Sequence, residues 1–280
     1  MSIIAISSWC WHAAYHAGQL SLLNVPAEAQ RLDFNHVELN DFMLPPPRWS
    51  RVRRLLLAAL GAPQNLWRYS ARTLQPLTYT PMQVVSWTLD TDFTLSAWRW
   101  LWQKRYLAAG LRAARLLRCA VVRVTLGGAE NSPATQDDLA ACRLAETVRY
   151  SAPLTVAVEN HWGLSTEYER LLKILALAKK QLNGAQAARL GVCFDPGNLP
   201  TERREQGWRA LAPRANHFHF KTRTFTPNGE ESTLPYAEIL ALLRASHYSG
   251  HIVLEYEGDE AVELGVQKSL ALLERSSKSS

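Results

Sequence analysis

A single-domain (β/α)8 barrel is the fold this sequence predicts, on three observations. Eight short β-rich runs recur along 280 residues, helix-like stretches separate most of them, and no linker divides the chain. Alternating strand and helix is the signature of parallel βαβ units, and eight such units fill a chain of about 250 residues. The first run is SIIAIS at 2–7, and no glycine-rich phosphate loop follows it, which argues against a doubly wound open sheet. HVELN at 36–40 is the second, and the Pro-rich MLPPPRWS at 43–50 reads as the loop leading to its helix. QVVSWTL at 83–89 and AVVRVTL at 120–126 are the third and fourth. LTVAVEN at 154–160 precedes a helix-like TEYERLLKILALAKKQL at 166–182. LGVCFD at 190–195 ends in an Asp-Pro-Gly turn. NHFHFK at 216–221 and HIVLEY at 251–256 complete the set, with PYAEILALLRAS at 235–246 as the helix between them. The barrel is assigned to 1–275 and a loose tail to 276–280.

Composition narrows the class. A hydrophobic content of 47% supplies a sizeable core and excludes a disordered chain. The net charge of +6 is mildly basic and gives only weak support to an acidic partner. Cys10, Cys119, Cys142 and Cys193 show no paired spacing, so reduced thiols and a cytoplasmic location are expected. The N-terminal stretch lacks the basic start of a signal peptide, and no apolar run is long enough to span a bilayer, so no membrane partner is expected.

Strand alternation carries the chemistry. Successive side chains on a strand face opposite ways. Val156 and Val158 therefore oppose Thr155, Ala157 and Glu159; Val192 and Phe194 oppose Gly191, Cys193 and Asp195. Phe218 and Phe220 oppose His217, His219 and Lys221; Leu254 and Tyr256 oppose Val253, Glu255 and Glu257. Likewise Val37 and Leu39 oppose His36, Glu38 and Asn40. The bulky face suits outer helices, so the polar face points into the barrel. Glu159, Asp195, His219 and Glu255 then converge near the C-terminal ends of strands five to eight, where barrel enzymes place their chemistry. Any one of them alone would be a turn or salt-bridge residue. Three carboxylates and an imidazole together are most economically satisfied by one divalent metal, and oxygen and nitrogen ligands without a thiolate suit Mn, Mg, Co or Zn.

The segments VAVENHWGLST, GVCFDPGN, HFHFKT and YSGHIVLEYEG resemble the xylose isomerase-like TIM barrels, the sugar phosphate isomerase/epimerase superfamily, to which endonuclease IV-type barrels are related. SIIAISSW, FNHVELND and VVRVTLGG extend the resemblance over nearly the whole chain. The resemblance implies a metal held by Glu159, Asp195, His219 and Glu255. It also implies that Glu159 and Glu255 act as acid and base at a sugar carbon, through an enediolate. Three positions depart from the pattern. Asn198 stands where a substrate-binding His is usual, Thr222 replaces the Asp of an HxKD run, and Arg223 lies at a different spacing from the metal His than the usual Arg.

Other candidates surround this set. Glu38, with Asn40, ends strand two and either reaches substrate or supports another residue. His161 and Asn198 are candidate hydroxyl contacts, and Arg223 a substrate contact. Lys221 either binds an oxyanion or pairs with Glu255 or Asp195. Trp9, Trp11 and Trp162 are candidate walls for a sugar ring, or packing residues. The acid-free stretch from Phe93 to Ala129 carries Arg99, Lys104, Arg105, Arg112, Arg115, Arg118 and Arg123. It reads mostly as the solvated face of one outer helix.

The expected function is a metal-dependent isomerase or epimerase acting on a sugar or related polyhydroxy carbonyl compound. A dehydratase on a keto-polyol would use the same site. An endonuclease IV-like phosphodiesterase would need more metals and further histidines, which counts against a nucleic acid partner. A barrel that binds metal and sugar without turnover is the remaining alternative. Members of the superfamily are often oligomeric, which is the only ground for expecting a homo-oligomer.

Overall fold

The eight strands close into one parallel barrel in chain order. They are β1 (Ile4–Ser7), β2 (His36–Asn40), β3 (Gln83–Leu89), β4 (Val121–Val124), β5 (Thr155–Glu159), β6 (Leu190–Phe194), β7 (Ala215–Thr222) and β8 (Ile252–Tyr256), and β8 pairs with β1. The structure is a computed structural model and describes residues 3–46 and 51–278. Residues 47–50 of the Pro-rich loop and 279–280 of the expected tail lie outside the described residues. All eight strand predictions are met. The last helix, Val262–Lys278, takes in residues 276–278, which the sequence reading placed in a loose tail. Buried Leu272, Leu273 and Ser276 hold one face of its final turns against the barrel.

Outward-facing strand residues make the main core. Val122, Val124, Val156, Val158, Val192, Phe194, Phe218, Phe220 and Leu254 are buried against the ring of helices. β-branched and aromatic side chains suit strands covered on both faces. Phe220 packs on Tyr236 of the helix Tyr236–Ala245 with ring centroids 3.9 Å apart. The expected helix at 166–182 forms as Tyr168–Lys179.

Inside the barrel the apolar fillers are small. Ala5, Val85 and Val253 form one cluster, and Val121, Ala157 and Cys193 another. Small side chains here leave room for the long polar ones that share the interior. Register shifts occur at Val37/Glu38 between β2 and β3, and at Val192/Cys193 between β6 and β7. Such irregularities re-aim side chains, and these two flank Glu38 and the strand end that carries Asp195.

At the opposite end of the barrel, half-buried His251 lies 6.1 Å from the His217 ring. Burial, with His217 and His36 nearby, lowers its pKa to about 4 from an ordinary 6.5. A histidine depressed in the folded state stabilises the fold fully above its unfolded pKa, and the contribution is lost as pH falls through the window between the two values. The urea midpoint is therefore expected to fall between pH 6.5 and about 4, and a His251→Gln variant should show a shallower fall; an unchanged slope in that variant would remove His251 as the cause.

Candidate functional site

Four strand ends deliver the predicted quartet to one place. Glu159 closes β5, Asp195 follows β6, and His219 and Glu255 lie within β7 and β8. All four are buried. His219 Nδ1 lies 3.3 Å from Glu159 Oε1, 3.9 Å from Asp195 Oδ2 and 3.7 Å from Glu255 Oε2. Asn160 fastens two of these strand ends together: its side chain accepts from the Asp195 backbone N–H (2.9 Å) and donates to the Asp195 carbonyl (2.7 Å). The sequence reading gave Asn160 no role, because that role depends on strand pairing.

Glu38 lies beneath this group and does not line the cavity above it. Its carboxylate is fully buried and meets His217 Nε2 at 2.7 Å and His219 Nε2 at 3.2 Å, and it accepts from Ser86 Oγ (2.6 Å) and Ser7 Oγ (3.2 Å). Glu38 is thus a support for the histidines, a correction to its placing as a substrate contact. Burial alone would raise its pKa, but the two imidazoles hold it well below the usual carboxylate range. With Nε2 turned to Glu38, His219 directs Nδ1 at the three carboxylates, and that atom makes no hydrogen bond. A carboxylate behind a histidine fixes its tautomer and its ring orientation in this way in metal sites.

The cations here are all engaged. Lys221 Nζ lies 2.8 Å from Asp195 Oδ2, 3.2 Å from Glu255 Oε2 and 3.1 Å from Glu257 Oε1. It also donates to Asn198 Oδ1 at 3.0 Å, while Asn198 Nδ2 donates to Glu159 Oε1 at 3.2 Å. Asn198 therefore bridges a lysine and a carboxylate and is not among the cavity-lining residues. Arg223 is half-exposed on the rim, with Nε and Nη2 both on Glu257 Oε2 (3.0 and 2.7 Å), so it too is withdrawn from the cavity. Arg99, Lys104, Arg105, Arg112, Arg115 and Arg118 are exposed, as the reading of the basic stretch as a solvated face expects, and Arg123 is the exception. It lies on β4, buried, with Nε 2.9 Å from Glu159 Oε2 and Nη1 3.0 Å from Asp90 Oδ1. The alternation rule applied to AVVRVTL, which puts Val122 and Val124 outward, would have turned it inward.

These pairings set the protonation states. Against burial, Arg123 and the neighbouring imidazoles push the Glu159 carboxyl far down. Asp195 is also lowered against burial, by Lys221 and His219. Glu255 is raised to about 7, since burial outweighs Lys221 and His219 while Glu257 and Asp195 add to it.

A cavity of about 140 Å³ opens over this floor. Trp9, Phe42, His161 and Trp162 line it, with Asn40, Asp90, Arg123, Glu159, Lys221, Glu255 and Glu257. His161, Trp9 and Trp162 are thus at the predicted site, and Trp11 is core.

The donor set fits a divalent metal. Ligand atoms about 2.0–2.2 Å from one ion lie roughly 3.0–3.6 Å from each other, close to the spacing around His219 Nδ1. Glu159, Asp195 and His219 present ligand atoms within 4.8 Å of one another. Charge agrees: among the described residues, Glu38, Asp90, Glu159, Asp195, Glu255 and Glu257 face only Arg123, Lys221 and Arg223 as permanent cations. Two further groupings, Glu38–His219–Glu255 and Cys193–His217–His219, also contain His219, whose Nε2 lies 3.2 Å from Glu38.

Residues 26–276 match the xylose isomerase-like TIM barrel family. The chain belongs to that family. Among solved structures, a D-allulose 3-epimerase from Methylomonas sp. is 14% identical, with a TM-score of 0.68 over 98% of each chain. A probable 3-DHS dehydratase of petrobactin synthesis from Bacillus anthracis is 15% identical, with a TM-score of 0.65 over 98% of this chain and 99% of that one. A C-glycoside deglycosidase alpha subunit from Microbacterium trichothecenolyticum is 40% identical over 55 residues, which is 20% of this chain and 15% of that protein. This xylose isomerase-like barrel thus shares its fold with epimerases and a dehydratase. Among its described residues, no helix is long and apolar enough to cross a membrane.

If Glu38 orients His219 for a metal, Glu38→Gln should weaken Mn2+ or Zn2+ affinity about 10- to 100-fold, read by competition with a chelating dye; unchanged affinity would remove Glu38 from that role.

Proposed function

We propose that this barrel is a metal-dependent enzyme that moves a proton at a carbon beside a carbonyl in a sugar or related polyhydroxy compound, as an isomerase or epimerase. One observation carries the reading: the unbonded His219 Nδ1, aimed at three buried carboxylates. Glu159, Asp195, His219 and Glu255 would hold the ion. A divalent cation there would polarise adjacent carbonyl and hydroxyl oxygens and acidify the C–H between them.

The chain's own groups do the rest. Glu159 and Glu255 both line the cavity, so each can reach substrate. One removes the proton and the other returns it. Arg123 holds Glu159 Oε2 from behind, and Asn198 tethers Oε1, so this carboxylate is positioned before substrate arrives. Lys221 lines the same cavity and stands beside Glu255. Loss of a β-hydroxyl in place of proton return gives dehydration from the same arrangement. The substrate is a small molecule, since the cavity is well below the roughly 300–1,000 Å³ of a drug-sized site.

Lys221 favours a second reading. Its ammonium already contacts Asp195, Glu255 and Glu257, so the acidic cluster could be a salt-bridged interior that takes no metal. Elemental analysis of the purified protein separates the two. About one equivalent of divalent metal per chain, lost in Asp195→Ala, supports the enzyme; about three equivalents points to the phosphodiesterase; none after soaking in Mn2+ or Zn2+ leaves the interior salt bridge. With metal bound, Glu159→Gln and Glu255→Gln should each reduce deuterium exchange from heavy water into a ketose panel by at least about 100-fold. Full exchange in either variant would sink the two-carboxylate mechanism.

A further inference from the structure

The cavity has two chemically different halves. Its floor is ionic, and every cation on that floor is already committed. Arg123 spans Asp90 and Glu159, Lys221 stands among three carboxylates and Asn198, and Arg223 chelates Glu257. Among the described residues, an anionic substrate group would find no free guanidinium or ammonium there. It would instead meet the Asp90 and Glu257 carboxylates, which also line the cavity. Carboxylates with spare lone pairs are suited to hydroxyl donors.

The mouth is aromatic. On one side Trp9 stacks on His12 (centroids 4.7 Å) and meets Phe42 edge-on (5.6 Å), while its Nε1 donates to Glu257 Oε1 at 2.6 Å, pinning the indole to the end of β8. On the other side Trp162 is 44% exposed, and its side chain has no ring or hydrogen-bond partner among the described residues. The backbone beside it is nevertheless anchored. The next residue, Gly163, has φ +70°, and a Cβ there would lie 2.3 Å from the Gly127 carbonyl; the Leu164 N–H donates to that same oxygen at 2.9 Å. Only glycine lets the loop press this closely on the loop after β4. A large, exposed indole at a cavity edge, on an anchored stretch of backbone and with no ring or hydrogen-bond partner, is suited to stacking on a ligand ring. The cavity is small, about 140 Å³, so a ring joined to a polyol bound there would rest at the mouth.

We infer that the substrate is an uncharged polyhydroxy compound joined to a planar apolar group, with the polyol on the carboxylate floor and the ring against Trp9, Phe42 and Trp162. This deepens the proposed function and rests on it for the placing of the polyol over Glu159 and Glu255.

The test is calorimetric titration of the Mn2+-loaded protein with phenyl β-D-glucoside, methyl β-D-glucoside and phenyl β-D-glucuronide, repeated in the galacto and xylo series for the two neutral probes. In at least one series the phenyl glycoside should bind about tenfold or more tightly than the methyl glycoside, and the glucuronide should bind more weakly than the phenyl glucoside. Trp162→Ala, at an exposed position, should bring the phenyl-to-methyl ratio close to one and leave Mn2+ stoichiometry unchanged. A phenyl-to-methyl ratio near one in the native protein, a glucuronide that binds as well as the glucoside, or no binding in any series would overturn the inference. Mn2+ stoichiometry in the same samples keeps the failures apart: no bound metal sinks the functional reading, while bound metal without a phenyl preference sinks only this one.

Discussion

Burying carboxylates at one end of the barrel is the constraint on which the rest of the site depends. Glu38, Glu159, Asp195 and Glu255 are all at most 4% exposed. A lone ionised carboxylate at such depth would cost several kcal/mol or would take up a proton. The chain answers with specific counter-charges, from a neighbouring strand or from across the barrel interior. Arg123 on β4 meets Glu159 on β5, Lys221 on β7 meets Asp195 and Glu255 on either side, and the β7 imidazoles meet Glu38 on β2. Closure of the barrel is what makes these pairs. His217 and Glu38 are 179 residues apart in sequence and 2.7 Å apart in space. The remaining excess of negative charge is what a divalent ion would neutralise.

The same closure explains how much of the site was legible beforehand. A strand's alternation is local, so LTVAVEN, LGVCFD, NHFHFK and HIVLEY each disclosed an inward polar residue without knowledge of the partner strand. That rule found Glu159, Asp195, His219, Lys221 and Glu255. It applied equally to AVVRVTL, but there Arg123 was read with the basic residues of the preceding helix, Ala97–Leu116, and the run of charge masked the alternation. Pairings were not legible at all. Whether Lys221 meets Asp195 or a ligand, and whether Asn198 meets substrate or Glu159, depends on which strands adjoin and in what register. Two register shifts, beside Glu38 and Cys193, put that beyond any local pattern. Arg223 shows the reverse error. Proximity to His219 in sequence suggested a substrate contact, yet it lies at the very end of the strand, where Glu257 captures it on the rim.

Asn198 shows what a single departure from the family pattern can do. An imidazole at that position could carry a proton; an amide cannot. The amide instead offers one acceptor and one donor, and the structure uses both, on Lys221 and Glu159. A neutral group thereby couples the lysine to the carboxylate while leaving both charges in place. The arrangement makes Asn198 a brace between Lys221 and Glu159.

Floor and rim answer to different constraints, and this accounts for how one fold can be shared by an epimerase and a probable dehydratase at 14–15% identity to the same chain. Floor residues are fixed by strand geometry and by mutual charge; replacing any one leaves a buried partner uncompensated, at about 3–5 kcal/mol. Rim residues such as Trp162 and Arg223 stand on loops or strand termini, where a change costs little folding energy. Substrate choice can therefore drift while the ionic frame is retained. In this chain two indoles and a phenylalanine line the cavity, and Arg123 and Lys221 are paired with carboxylates. On the inference drawn above, both features favour neutral substrates with an apolar face.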